Sequence, residues 1–212
     1  MNKITIGLIL TLTAIAAGCT TTDSSRNLAD PAVSGKVLAQ QVCSICHGAD
    51  GNSTNPTFPK LAGQQQGYLV AQLTDFRSHG RSDPAGSEYM WGISRHLTDT
   101  QIRQLATHFS QQQATADQPA HPQQEAAGQL IFTKGLSNQN VPACATCHGA
   151  KGEGNAAFPR IAGQHADYIA KQLGVFKDTE MRPKGAVMKV ITHDLTSAEI
   201  QAVAAYVSTM PQ

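Results

Sequence analysis

The chain has 212 residues, which is enough for one large domain or two small ones. Only 5% of these residues are aromatic. Because Phe, Tyr and Trp normally supply much of the buried area of a small domain, two ordinary cores would be poorly filled, and we expect another apolar group in the interior. The 16 basic and 15 acidic side chains nearly cancel, which excludes a basic surface for nucleic acid.

The N-terminus has the pattern of a secretion signal over residues 1–18. It contains one cation, Lys3, an apolar stretch and small residues at its end. The alternative is an uncleaved anchor, but the apolar run is shorter than the roughly 20 residues that a membrane-spanning helix needs. Its last residues and Cys19 resemble the lipobox of bacterial lipoproteins, although Ala16 stands where that motif usually has Leu. We expect export to the periplasm, with either lipidation at Cys19 or ordinary cleavage nearby.

Composition divides the remainder into two domains. Residues 19–30 are rich in Thr and Ser and predict a flexible tether. Residues 113–124 lack apolar periodicity and contain Pro119 and Pro122, so they predict a linker. The expected domains are then 31–112 and 125–212.

The two predicted domains repeat one pattern. Cys43-Ser-Ile-Cys46-His47-Gly48 corresponds to Cys144-Ala-Thr-Cys147-His148-Gly149. Downstream, nine of the nineteen aligned positions in 58–76 and 158–176 are identical. An internal repeat of this kind predicts two copies of one fold.

Each copy has the signals of three helices and no strand-like alternation. An apolar pattern leads into each cysteine motif, and a second one covers residues 68–76 and 168–176. The third helix begins with a capping box, at Thr98–Gln101 and Thr196–Glu199. Hydrophobic staples are expected beside these boxes, between Leu97 and Ile102 and between Leu195 and Ile200. The predicted fold class is all-α.

A Cys-x-x-Cys-His motif is the attachment signature of c-type haem. On a helix its three functional residues share one face, so both thiols can bond the vinyl groups while the histidine reaches the iron. This predicts covalent haem at Cys43/Cys46 and at Cys144/Cys147, with His47 and His148 as iron ligands. A thioredoxin-like pair would need a βαβ setting, and a zinc site would leave both histidines unexplained.

The sixth iron ligand is predicted from the repeat. Met90 and Met188 each lie seven residues before the leucine of a capping box, and we expect both in a loop ahead of the last helix. The usual alternative for a methionine is core packing. Met181 is a second candidate in the second copy, and His193 is a rival ligand. Methionine ligation would raise the reduction potential and leave no open site for oxygen or peroxide.

Other repeated residues suggest supporting roles. A carbonyl near Pro59 or Pro159 could accept from the second ring nitrogen of the proximal histidine. Four more residues could bind haem propionates or simply pack between helices: Tyr68, Tyr168, Gln72 and Gln172.

These motifs together resemble the cytochrome c4 family over residues 31–210. The resemblance implies two cytochrome c domains related by a pseudo-twofold axis, with haem propionates meeting between them. It also implies an electron carrier, not an enzyme, that takes electrons from a quinol-oxidising complex and passes them to a haem-copper terminal oxidase. The alternatives are the cytochrome subunit of a periplasmic dehydrogenase and a diheme peroxidase, which would need one open iron. A lipid on Cys19 would be a departure from the family.

Overall fold

The computed structural model describes residues 24–84, 86–156 and 158–211. The predicted signal, Cys19 and the start of the tether lie outside these residues. In the described ranges the chain is helical, and the only β pairings there are two isolated bridges. The predicted all-α class is therefore confirmed. None of the helices in these ranges is both long enough and apolar enough to cross a bilayer.

Among the residues that the structure describes, the first half contains five α-helices. A continuous helical run is made of α1 (Gly35–Leu38), a π-helical segment (Ala39–Cys43) and α2 (Ser44–His47). It is followed by α3 (Gln66–Arg77), α4 (Gly86–Ser94) and α5 (Asp99–Ser110).

The second half repeats this order as α6 (Pro122–Lys134), α7 (Ala145–His148), α8 (Ala166–Asp178), α9 (Ala186–Thr192) and α10 (Ser197–Thr209). Here the first helix does not run into the cysteine motif. Gly135 ends α6 with φ 71°, and a turn closed by the Leu136–Val141 bridge comes before α7.

Both capping boxes form as predicted. Thr98 accepts from the backbone N–H of Gln101 while the Gln101 side chain accepts from Thr98, and Thr196 and Glu199 do the same at α10. Leu97 and Ile102 belong to one buried cluster, and Leu195 and Ile200 to another. The staple residues thus close the start of each terminal helix.

In each half the first and last helices cross at a glycine. A Cβ built on Gly35 would lie 2.5 Å from Cβ of Gln104, and one on Gly128 would lie 2.0 Å from the carbonyl oxygen of Ala202. No side chain fits at either crossing, since real Cβ contacts are longer than 3.0 Å. These crossings bring α1 against α5 and α6 against α10. The remaining core residues of each half then pack around them.

The described part of the predicted tether and the predicted linker both contact the folded halves. In the tether, Leu28 packs against the first core and the carbonyl of Asp30 accepts from Gln101 at 2.9 Å. In the linker, the backbone N–H of Asp117 donates to Ser208 at 2.8 Å, and α6 already begins at Pro122. The Thr and Ser content of residues 19–30 predicted a flexible tether, but backbone groups in its described part, like those of the linker, have partners on the folded halves.

Candidate functional site

Each cysteine motif occupies one turn of helix. In the first half Cys43 ends the π-helical segment, and Cys46 and His47 lie in α2. In the second half Cys144 is the N-cap of α7, which contains Cys147 and His148. Positions i, i+3 and i+4 then face the same way. None of these four motif cysteines forms a disulfide, and all four are partly exposed.

The two histidines are buried and oriented alike. His47 is 7% exposed and its Nδ1 lies 2.8 Å from the carbonyl oxygen of Pro59, and His148 is 8% exposed with Nδ1 2.9 Å from the carbonyl oxygen of Pro159. Because a carbonyl only accepts, Nδ1 carries the proton and the lone pair is on Nε2. This is the predicted orienting contact, and it repeats in both halves.

The glycine after each histidine allows the chain to leave the helix. Gly48 has φ 82° and Gly149 has φ 84°, a region that side chains rarely adopt. A Cβ on Gly48 would lie 2.8 Å from the carbonyl oxygen of Asn52. The turn that these glycines make returns the chain towards the Pro59 and Pro159 carbonyls.

Burial sets the protonation states of these motifs. It raises the pKa of the Cys43 thiol to about 12 and that of Cys144 to about 11, so both stay protonated at neutral pH. Burial also lowers the pKa of His47 and His148, which the hydrogen bonds to the proline carbonyls only partly offset. Both imidazoles are therefore neutral and can coordinate a metal through Nε2.

This donor set fits c-type haem better than the alternatives. In each half, a single helical turn carries two thiols and one oriented, neutral imidazole. The described residues contain no group of three or more His, Cys, Asp or Glu that could hold a metal ion, which is what a zinc site would need. The raised pKa of the Cys43 and Cys144 thiols also differs from that of the acidic thiol of a dithiol redox motif.

The two candidate methionines lie in helices, not in loops as expected. Met90 is in α4 and Met188 is in α9, and both are partly buried. Two of the nine residues of α4 are glycines, which disfavour helix, so the sequence gives only a weak helix signal there. Met181 instead lies at the boundary between the halves, where its carbonyl accepts from Ser82 at 2.9 Å. His193 is 71% exposed, and its Nδ1 lies 2.8 Å from Asp194.

A pair of arginines between the halves was missed from the sequence. Arg81 lies 4.5 Å from the ring centre of Phe76, and Arg182 lies 4.5 Å from that of Phe176. Arg81 and Arg182 occupy equivalent positions in the two halves, but a one-residue shift in the alignment of the repeat obscures the equivalence. Each guanidinium donates to a Gln of its own half and to a Tyr and a Gln of the opposite half. Arg81 donates to Gln72 of its own half and to Tyr168 and Gln172 of the other. Arg182 donates to Gln172 of its own half and to Tyr68 and Gln72 of the other.

One buried carboxylate breaks the symmetry of these contacts between the halves. Asp83 is fully buried and lies 2.6 Å from Arg81, whereas Lys184 stands at its equivalent position. Burial alone would raise the pKa of Asp83, but hydrogen bonds and the charge of Arg81 outweigh burial and hold it below its usual range. Lys184 forms an ion pair with Asp75 of the first half.

A second set of contacts joins the halves through amide side chains. Gln64 exchanges hydrogen bonds of 2.9 and 2.7 Å with the backbone of Arg160, and Gln164 exchanges bonds of 2.8 and 2.9 Å with the backbone of Lys60. These four residues follow the prolines that orient the histidines. The repeat therefore places both sites beside one pseudo-symmetric interface between the halves, the seam, which Gln64, Gln164, Arg81 and Arg182 form.

Comparison with known proteins agrees with this arrangement. The family model for cytochrome c matches residues 32–113 and again residues 125–211. The chain therefore belongs to the cytochrome c family, with two such domains in tandem.

Individual relatives show which members of the cytochrome c family the chain resembles. Cytochrome c4 of Azotobacter vinelandii is 37% identical over 98% of this chain and 98% of its own length. The crystal structure of reduced recombinant cytochrome c4 from Pseudomonas stutzeri has a TM-score of 0.74 at 35% identity, covering 84% of this chain and 97% of that one. A thiosulfate dehydrogenase electron acceptor from Stutzerimonas stutzeri is 36% identical over 82% of this chain and 81% of its own.

The expected relationship to the cytochrome c4 family is thus confirmed. The protein is a diheme electron carrier with two covalently bound haem c groups.

Proposed function

We propose that Cys43 and Cys46 bind one haem and Cys144 and Cys147 the other, with His47 and His148 as the proximal iron ligands. The observation that carries this proposal is the repeated Nδ1 contact with a proline carbonyl, at 2.8 and 2.9 Å. It holds each imidazole in one tautomer and one orientation, as the hydrogen-bond partner of a metal-ligating histidine does.

Met90 and Met188 are the proposed distal ligands. They stand at equivalent places, on the short helix before each capped terminal helix. With a thioether ligand the reduced iron would be favoured, and the bound haem would supply electron transfer as its chemistry. The residues of this chain then hold the ligands in place and keep water from them.

The protein acts in the periplasm as a carrier between two membrane complexes. It takes electrons from a quinol-oxidising complex and delivers them to a haem-copper terminal oxidase. Residues 1–18 direct export in this proposal, and Cys19 can tether the chain as a lipoprotein, which needs more than one acyl chain for stable attachment.

A second function is favoured by one of the relatives. Because the chain is 36% identical to a thiosulfate dehydrogenase electron acceptor, a periplasmic dehydrogenase is the alternative electron donor. In that case the same two haems would receive electrons from a soluble enzyme.

Two experiments test these proposals. A pyridine haemochrome assay of the exported protein should give two haems per chain, and a single haem would refute the site assignment. Cys43→Ser and Cys144→Ser should each reduce haem staining on a denaturing gel. Stopped-flow mixing then separates the donors. Rapid reduction by a quinol-oxidising complex supports the respiratory role, and reduction only by thiosulfate dehydrogenase with thiosulfate supports the alternative.

A further inference from the structure

The helix that carries Met90 is short and buries little of its own surface. α4 spans Gly86–Ser94, and Ser94 is its one buried residue. A helix of this length is not stable by itself, since isolated helices shorter than about 12–15 residues are marginal in water. The position of Met90 therefore depends on whatever fixes α4 to the rest of the first half.

The ring of Trp91, next to Met90, makes one such contact, and Arg95 at the end of the same helix covers the ring as well. The imidazole of His79 stacks on it with ring centres 4.8 Å apart and an angle of 29° between the planes. The guanidinium carbon of Arg95 lies 5.1 Å from the same ring centre. His79 follows the end of α3, so this cluster joins the methionine helix to its neighbour.

His79 holds an unfavourable backbone conformation at this place. Its φ is 57°, in the left-handed region that glycine normally occupies at a helix end. The N–H of Gly80 donates to Asp75 at 2.7 Å and the N–H of His79 donates to Phe76 at 3.3 Å, which is the Schellman pattern. A residue that bears this strain needs compensation, and the stack on Trp91 supplies it.

The second half makes the equivalent contact by a different interaction. Lys189 stands where Trp91 does relative to the methionine, and Glu180 corresponds to the strained end of α3. The two form an ion pair whose side chains are 37% and 79% exposed. Exposed ion pairs are weak and are screened by salt, whereas ring stacking is not.

We propose that the stack of His79 on Trp91 is a positioning clamp that holds Met90 in place for the first haem, independently of salt. Lys189 and Glu180 do the same for Met188, but in a salt-dependent way. None of these residues touches the iron, so they act through the methionine helix. This inference rests on the proposed methionine ligation.

Imidazole titration of the oxidised protein tests the clamp. Imidazole can bind an iron only when its methionine has moved away, so its apparent affinity reports the open fraction. Met90→Ala and Met188→Ala assign the two titration phases to the two haems. Trp91→Leu should tighten imidazole binding at the first haem about fivefold to tenfold at both low and high salt.

Two further variants are matched controls. His79→Gly removes the ring but relieves the backbone strain, so it should tighten imidazole binding without lowering the thermal unfolding midpoint. Lys189→Ala should tighten binding at the second haem at about 0.01 M salt and have no effect at about 1 M, where the ion pair is already screened.

The outcomes separate this inference from the ligand assignment. If neither Met→Ala variant alters a titration phase, the methionine ligation is wrong. If Met90→Ala alters the first phase but Trp91→Leu and His79→Gly do not, the clamp is refuted while the ligation stands. An equal salt dependence at both haems would also refute the clamp.

Discussion

A single backbone carbonyl determines the tautomer and orientation of each motif histidine, His47 and His148. The contact with Pro59 or Pro159 leaves Nε2 without a proton, and burial keeps the ring neutral by lowering its pKa. A histidine that was free to rotate or to bind a proton would be a weaker iron ligand. The prolines of the repeat therefore matter through their carbonyls and through the turn that presents them.

The methionine assignment gives a test at this scale. Met90→Ala and Met188→Ala should each lower the reduction potential of one haem by about 0.1 V or more, since axial ligands alone span about 0.8 V among haem proteins. Both haems should stay attached because the thioether bonds are unaffected. A redox titration and the absorption of the oxidised protein near 695 nm measure these effects. Met181→Leu is the control and should change neither potential; a shift there with none from Met188→Ala would reverse the assignment.

At the scale of elements, the crossing of the first and last helices sets the shape of each half. Gly128 allows α6 to approach α10 closely, with no room for a Cβ beside the carbonyl of Ala202. Gly35 does the same between α1 and α5. The capping boxes then define where the last helix begins, so the short methionine helix ahead of it ends at a fixed point.

Gly128→Ala should therefore destabilise the protein by about 3 kcal/mol, because one helix must move to accommodate the methyl group. Gly92→Ala is a matched control in α4, where a Cβ would meet nothing within 4 Å. It should raise stability by about 0.5–1 kcal/mol through helix propensity. Urea unfolding of the haem-bound protein measures both. Equal effects of the two substitutions would show that the crossing is less tight than described.

At the scale of the whole molecule, the two halves share one polar seam. Arg81 and Arg182 each contact side chains of both halves, and Gln64 and Gln164 bind the backbone of the opposite half. Most of these groups are buried, so separating the halves would break all of these hydrogen bonds together. We expect the halves to behave as one unit in stability.

Asp83 makes this seam sensitive to acid. Its pKa is held below that of a free aspartate, so its stabilising contribution is complete above about pH 4 and is lost as the pH falls through the lower folded-state value. Asp83→Asn should cost about 3 kcal/mol at pH 7, because Arg81 loses its buried partner. The difference from the parent should shrink as the pH falls from about 4 towards 2. Urea unfolding at several pH values measures it, with the exposed Asp178→Asn as a control; a difference that is constant with pH would contradict this role.

The sequence by itself determined the repeat, the cysteine motifs, the helical class and both capping boxes. These features depend on residues close together in the chain, where spacing alone predicts which side chains meet. The proline contact could be foreseen for the same reason, since Pro59 follows His47 by twelve residues and the repeat shows it twice.

Only the tertiary structure decided what lies between the halves and what holds the methionine helices. Arg81 meets Tyr168 and Gln172 across 87 and 91 residues of sequence, and no local pattern marks such a pair. The stack of His79 on Trp91 depends on how α3 ends and how α4 packs against it. Long-range contacts of this kind follow from the packing of complete elements, and so they are absent from any short stretch of sequence.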